Sequence, residues 1–157
     1  MAVKSEGAEL KNVLTYILYK IRNIRPTIGR TRVIKLLYLS DLIARARIGK
    51  KITNIKYQYY FYGPYSKRIV EELEDFSSKK IVEDYKYRTN SGIAHDYRIT
   101  DEGAKKVEAI FDDIPEEQKK IIDEVVKKYG NIRLDKLLDV VYSTKPMKEH
   151  SPGDALL

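Results

Sequence analysis

The 157-residue chain is predicted to fold as an α+β protein, mainly helical, with one β-hairpin. Apolar residues recur at three- and four-residue steps in several separate segments, which is the period of a helix with one buried face. One pair of strand-like runs, 81–88 and 94–99, is separated by Thr89-Asn90-Ser91-Gly92-Ile93, where Asn90 and Gly92 supply turn geometry. Capping residues stand before the periodic segments and glycines after them.

Taken in order, Leu10, Val13, Leu14, Ile17, Leu18 and Ile21 form one stripe on a first helix, and Asn23 to Gly29, with Pro26, is the turn that ends it. A second helix runs from Thr31, its cap, to about Ile48. It is apolar on nearly every side around Val33-Ile-Lys-Leu-Leu-Tyr-Leu39, so it is expected to be the central buried helix. Leu36, Leu37, Leu39, Leu42 and Ile43 should then lie against Leu14, Ile17 and Leu18. Gly49 stops this helix, with Arg45 and Arg47 in its last turns where cations suit the dipole. Ile52 to Tyr65, rich in β-branched and aromatic residues, is an extended segment running into a turn at Gly63-Pro64. Ser66 caps an amphipathic helix carrying Ile69, Val70, Leu73 and Phe76.

Alternation in the hairpin is expected to put Tyr85, Tyr87, Tyr97 and Ile99 on one face and Lys86, Arg88, Asp96 and Arg98 on the other. Thr100 caps a third amphipathic helix, Pro115 opens a fourth that Gly130 closes, and Leu134 to Tyr142 forms a last one. Helix, helix, strand, helix, hairpin, helix is the element order of a winged helix-turn-helix. The expected division is a winged-helix-like core over 1–112, appended C-terminal helices over 113–143, and a disordered tail over 144–157.

Composition narrows the chemistry. Without cysteine there is no disulfide, cysteine nucleophile or thiolate zinc site, and His95 and His150 cannot build a three-histidine metal centre. The glycines form no phosphate cradle, and there is no nucleophile elbow. His95, on the inward register beside Tyr97, is expected to be structural. These features lead to the expectation of a protein that is not an enzyme and carries no metal or cofactor. No apolar run approaches the ~20 residues that span a bilayer and the first ten residues lack an apolar signal core, so a cytoplasmic protein is expected. A charged fraction of 34%, 18 Ile and only two Gln and two Met give a composition like that of proteins from hot environments.

The net charge of +7 is unevenly spread: residues 1–60 hold 13 basic and 3 acidic side chains, whereas residues 101–157 hold 10 basic and 13 acidic ones. A polyanion is therefore to be sought at the first third and the hairpin, with Arg30, Arg32, Lys50, Lys51, Lys67, Arg68, Lys86, Arg88 and Arg98 as candidate nucleic-acid contacts. The helix before the hairpin argues against groove insertion, because Glu71, Glu72, Glu74 and Asp75 follow Lys67 and Arg68 and would meet the phosphate field. The aromatic segment Tyr57, Tyr59, Tyr60, Phe61, Tyr62 and Tyr65 admits two readings, a stacking platform for bases or a strand filling the core with rings. With only Lys56 interleaved, core packing is favoured.

The run Lys35-Leu-Leu-Tyr38-Leu-Ser-Asp41, then Gly49, Ile52-Thr53, Tyr57 and Tyr62-Gly63-Pro64-Tyr65-Ser66, resembles the core pattern of the SocA-like, or Panacea, domain family. The step Tyr97-Arg-Ile-Thr-Asp-Glu-Gly103 is similar to the strand-to-helix junction seen there, and the resemblance spans roughly residues 10–110. It implies a non-catalytic antitoxin-type module that neutralises or regulates a toxin-like partner protein by direct contact. Lys35, Tyr38, Asp41, Tyr62, Gly63, Pro64 and Tyr65 are its motif or interface residues, architectural first and interfacial second. Helices 115–142 lie outside the strongest match and are candidates for docking or homodimerisation. The alternative is a winged-helix transcription regulator using the basic N-terminal helices and the wing on DNA; a more distant one is a single-strand binder using the tyrosine segment.

Overall fold

The computed structural model describes residues 6–157, with side chains from residue 10 onward. Its elements are α1 (Glu6–Arg22), β1 (Ile28–Gly29), α2 (Arg30–Ile48), β2 (Gln58–Tyr60), β3 (Gly63–Tyr65), α3 (Lys67–Ser78), β4 (Val82–Thr89), β5 (Gly92–Ile99), α4 (Asp101–Ile110), a 3-10 turn (Phe111–Asp113), α5 (Glu116–Tyr129), α6 (Leu134–Tyr142) and α7 (Lys145–Glu149). This is an α+β fold with two small antiparallel sheets, β1-β5-β4 and β2-β3. Among the described residues no helix is long and apolar enough to cross a membrane.

The central position expected of α2 holds: every residue from Arg32 to Asp41 is buried. Its chief helical partners, however, are α5 and α6, while α1 packs on α4, α5 and β5. Residues 33–41 are covered on all sides, with α5 and α6 rather than α1 as the main helical cover. Leu36, Leu37 and Leu39 are fully enclosed, and Leu42 and Ile43 are half-buried at the margin.

Arg32 shows how tightly α5 is tied in. Its Nη1 donates to the carbonyl of Ile132 at 2.7 Å and, more weakly, to that of Gly130 at 3.5 Å, satisfying orphan carbonyls just past the end of α5. Gly130 is pressed against α1, since a Cβ there would stand 2.7 Å from Ile21 Cδ1. Helices α5 and α6 are thus part of the same core as residues 10–107.

Local capping follows the sequence at three ends and departs from it at one: Thr31, expected to cap α2, lies inside the helix, which starts at Arg30 after Gly29 with no side-chain cap. Gly49 ends α2 at φ +79°, Ser66 Oγ accepts from Ile69 N, and Thr100 Oγ1 accepts from Gly103 N at 3.0 Å. The tight strand-to-helix step at Gly103 has a steric reason: an added Cβ would fall 2.3 Å from the Ile81 carbonyl oxygen.

Two expectations are corrected. Register in the β4–β5 hairpin pairs Lys86 with His95, Asp84 with Tyr97 and Glu83 with Arg98. Paired residues share a face, so Lys86 and Arg88 lie with His95 and Tyr97, while Tyr85, Tyr87 and Arg98 lie on the other side. Alternation within each strand was legible, but the phase between strands depends on where the turn closes, here Thr89↔Gly92. The C-terminal segment, expected to be disordered, is instead laid on β2. Gly153 N donates to Tyr59 O, Tyr59 N to Asp154 O and Leu156 N to Tyr57 O, each at 2.8 Å. An edge strand with open N–H and C=O groups is completed by the polar, Pro- and Gly-containing tail.

Candidate functional site

The segment 52–65 is folded around one buried carboxylate. Asp41, fully enclosed on α2, accepts from Ile52 N (2.8 Å), Thr53 N (2.9 Å), Thr53 Oγ1 (2.6 Å) and Tyr57 OH (2.7 Å). Burial raises its pKa, opposed by the Thr53 and Tyr57 hydrogen bonds and by Lys51. Tyr57 is buried edge-on against Tyr38, with ring centroids 5.4 Å apart, and the Tyr38 hydroxyl meets Thr144 Oγ1 at 2.8 Å. Lys51 is spent on the same loop, donating to the carbonyls of Ile55 and Leu157. Tyr38, Asp41 and Lys51 are therefore architecture: they pin the base of the β2–β3 hairpin.

From that base the hairpin turns sharply. Gly63 sits at φ +95°, a conformation L side chains rarely adopt, and Pro64 follows it into the core. The turn throws Tyr60, Phe61 and Tyr62 outward at 51%, 82% and 61% exposure. Tyr65 stays half-buried and stacks on Tyr60 at 5.1 Å. The core reading of the aromatic segment thus applies to Tyr57, Tyr59 and Tyr65, while Tyr60–Tyr62 form a projecting tip. A uniform aromatic run conceals this division, because the reversal at Phe61-Tyr62 is set by the Gly63 backbone.

The tip stands over two adjoining clefts that share Arg30, Thr31 and Tyr62. The larger, about 500 Å³, is open and lies between the start of α2 and the β4–β5 hairpin; the smaller, about 200 Å³, lies under the tip. Tyr87, Ile93 and Leu134 complete an apolar rim around them, all three substantially exposed. The floor is cationic. Arg30 donates from Nε (2.9 Å) and Nη2 (2.7 Å) to the Tyr97 hydroxyl, and Arg25 holds the Thr27 carbonyl through Nε at 2.7 Å. Helix α2 begins here with no side-chain cap and no acid in its first turn, so its dipole adds positive potential. The sole carboxylate among the lining residues is Asp96.

Lys35 lines the smaller cleft from α2. It is 3% exposed, its Nζ donates to the Pro64 carbonyl at 2.6 Å, and burial pushes its pKa down to about 8. Of the motif residues, Lys35, Tyr62, Gly63 and Tyr65 are thus brought to one cleft beside Arg30, with Pro64 supplying the carbonyl that holds Lys35.

The candidate nucleic-acid contacts are dispersed. Arg32 is consumed by carbonyls, and burial, with Arg25 nearby, lowers its pKa. Lys50 is exposed past the end of α2, Lys67 pairs with Glu71 at 3.9 Å, and Arg68 lies beside a groove along residues 54–68. Lys86 and Arg88 point to one side of the hairpin and Arg98 to the other. His95 Nδ1 contacts both Asp84 carboxylate oxygens at 3.0 Å, and its ring stacks on Tyr97. Arg25, Tyr87, Ile93 and Leu134 escaped sequence reasoning, since they come from four separate segments and share no motif.

Residues 33–146 match the family model described as antitoxin SocA-like, Panacea domain. The match begins within α2 and runs through α6, so it takes in the C-terminal helices that the sequence resemblance, placed at 10–110, had left out. No curated protein and no solved structure matches the chain. With nearly three quarters of its length accounted for by that match, from the buried Lys35–Asp41 run through the Gly63-Pro64 turn to the helices behind them, the chain belongs to the antitoxin SocA-like, Panacea-domain family.

Proposed function

We propose that this chain is a non-catalytic binding module of the antitoxin type, regulating a partner protein by direct contact through the β2–β3 tip and the cleft beside it. The observation that carries this reading is the exposure of Tyr60, Phe61 and Tyr62 on a hairpin whose base is locked by Asp41 and Gly63. Large apolar side chains held out rigidly and clustered are the signature of a docking surface. Tyr and Arg are the side chains most enriched among interface residues that dominate binding energy, and here they adjoin. A rigid tip also loses little conformational entropy on binding.

The regulator reading, with a winged-helix core on DNA, has less support. Helix α3 confines its cations to Lys67 and Arg68 in its first turn, carries Glu71 and Glu74 exposed beyond them, and pairs Glu72 with Lys11. The hairpin cations are divided between two faces.

The test is co-expression with the product of the adjacent reading frame in its genome, comparing wild type with Phe61→Ser/Tyr62→Ser. Stable co-purification that the double variant loses, at unchanged thermal stability, supports the reading. Undiminished co-purification by the variant refutes the surface. Sequence-dependent DNA binding, with Kd near 10⁻⁸ M, would promote the regulator.

A further inference from the structure

Lys35 is the one feature of this surface that packing does not explain. Between Ile34 and Leu36 on a helix buried all round, a lysine stands where an apolar side chain of similar length would fill the same space. An ammonium group has three N–H donors, and burial without a counter-charge is costly. The other buried cations among the described residues are better satisfied. Arg32 meets the Ile132 and Gly130 carbonyls. Lys119 donates to the Phe111 carbonyl at 2.8 Å, pairs with Glu116 at 3.4 Å, and lies over the Phe111 ring. Lys35 has the Pro64 carbonyl and no carboxylate.

Its surroundings are those of a receptor. The small cleft that Lys35 lines is walled by Tyr60, Phe61 and Tyr62, and Arg30 stands at its side with three of its five N–H groups not engaged by Tyr97. At about 200 Å³ it is below the ~300 Å³ of ordinary small-molecule pockets, a size suited to a single side chain.

We infer that this cleft receives one carboxylate side chain, an Asp or Glu of the partner protein, between Lys35 and Arg30, with the aromatic tip packed over its methylene stem. The inference rests on the proposed docking role and specifies the chemistry of the partner's anchor. A phosphate, with roughly two charges and three strong acceptor oxygens, is the competing anion and is set against the carboxylate in the test. The carboxylate supplies the charge that Lys35 lacks, and its planar pair of oxygens suits the Arg30 fork.

The test uses the isolated full chain and a defined probe. N-acetyl-glutamate α-methylamide is titrated while the lysine side-chain NMR signals and the Thr31 and Gly63 amides are followed, with the glutamine analogue and inorganic phosphate as parallel arms. Saturable shifts of Lys35, Thr31 and Gly63 are expected with the glutamate probe and none with glutamine. Binding should weaken about tenfold or more in Lys35→Met and, as a second variant, in Arg30→Gln. Equal response to both amides, no saturable shift, phosphate binding tighter than carboxylate, or undiminished binding by both variants each overturns the inference. Loss of partner capture by the Phe61/Tyr62 variant is a separate readout, so the carboxylate receptor and the docking role can fail independently.

Discussion

Replacing Lys35 with methionine removes a charge that the fold holds against burial, and the effect has a calculable pH signature. The side chain's pKa falls from 10.5 to about 8 on folding, a difference equivalent to roughly 3 kcal/mol. Because the folded value lies below the unfolded one, the unfolded chain binds more protons between these limits, and stability rises with pH there. That contribution is fully present above pH 10.5, is lost as pH falls to about 8, and is flat below. Burial raises the pKa of Tyr16, Tyr38, Tyr57 and Tyr97, so they destabilise the fold as pH rises beyond 10. The useful window is therefore about pH 7.5–9.5, over which wild type should gain about 2 kcal/mol from Lys35. Lys51, also lowered by burial, contributes with the same sign in both proteins and cancels in the comparison. Urea denaturation followed by circular dichroism at several pH values measures the difference directly. Lys35→Met should lack the Lys35 part of the rise and be the more stable protein at pH 7.5, offset in part by the Pro64 carbonyl left without its donor. Parallel stability curves for the two proteins would refute the reasoning.

Asp41→Ala should cost about 3–5 kcal/mol, because it strands the Ile52 and Thr53 amides and the Thr53 and Tyr57 hydroxyls in the core; a fall in Tm with loss of near-ultraviolet tyrosine dichroism checks it, and an unchanged Tm contradicts the hub role. Ending the chain after His150 removes the backbone bonds to Tyr57 and Tyr59. It should cost about 3 kcal/mol, with faster amide exchange at Tyr59; equal protection in the shortened chain would mean that the segment does not complete the β2 edge.

The helices, most of their caps and the buried status of α2 were legible in the sequence because each depends on contacts within a turn or two: the stripe from Leu10 to Ile21, Ser66 and Thr100 as caps, Gly49 as a stop, though not the start of α2, which Gly29 rather than Thr31 precedes. A reversal near Gly63-Pro64 was legible for the same reason, although the turn itself falls at Phe61-Tyr62 and Gly63-Pro64 open β3. Three of the motif residues, Lys35, Tyr62 and Gly63, meet at one cleft. What covers α2 was not legible: an apolar helix states that it is buried, not by what, and α5 rather than α1 is its main helical partner, through pairings as distant as the 100 residues between Arg32 and Ile132. Nor was the phase of the β4–β5 hairpin, where one residue of register moves every side chain to the opposite face. The order of residues 151–157 escaped because their composition reads as tail, and only the open edge of β2 gives their backbone donors partners. The sequence by itself determined local backbone form and which residues must be covered. The tertiary structure alone decided which segments do the covering, and with them which aromatics are left outside and which lysine is buried without an acid, because those outcomes depend on long-range pairings that no local pattern encodes.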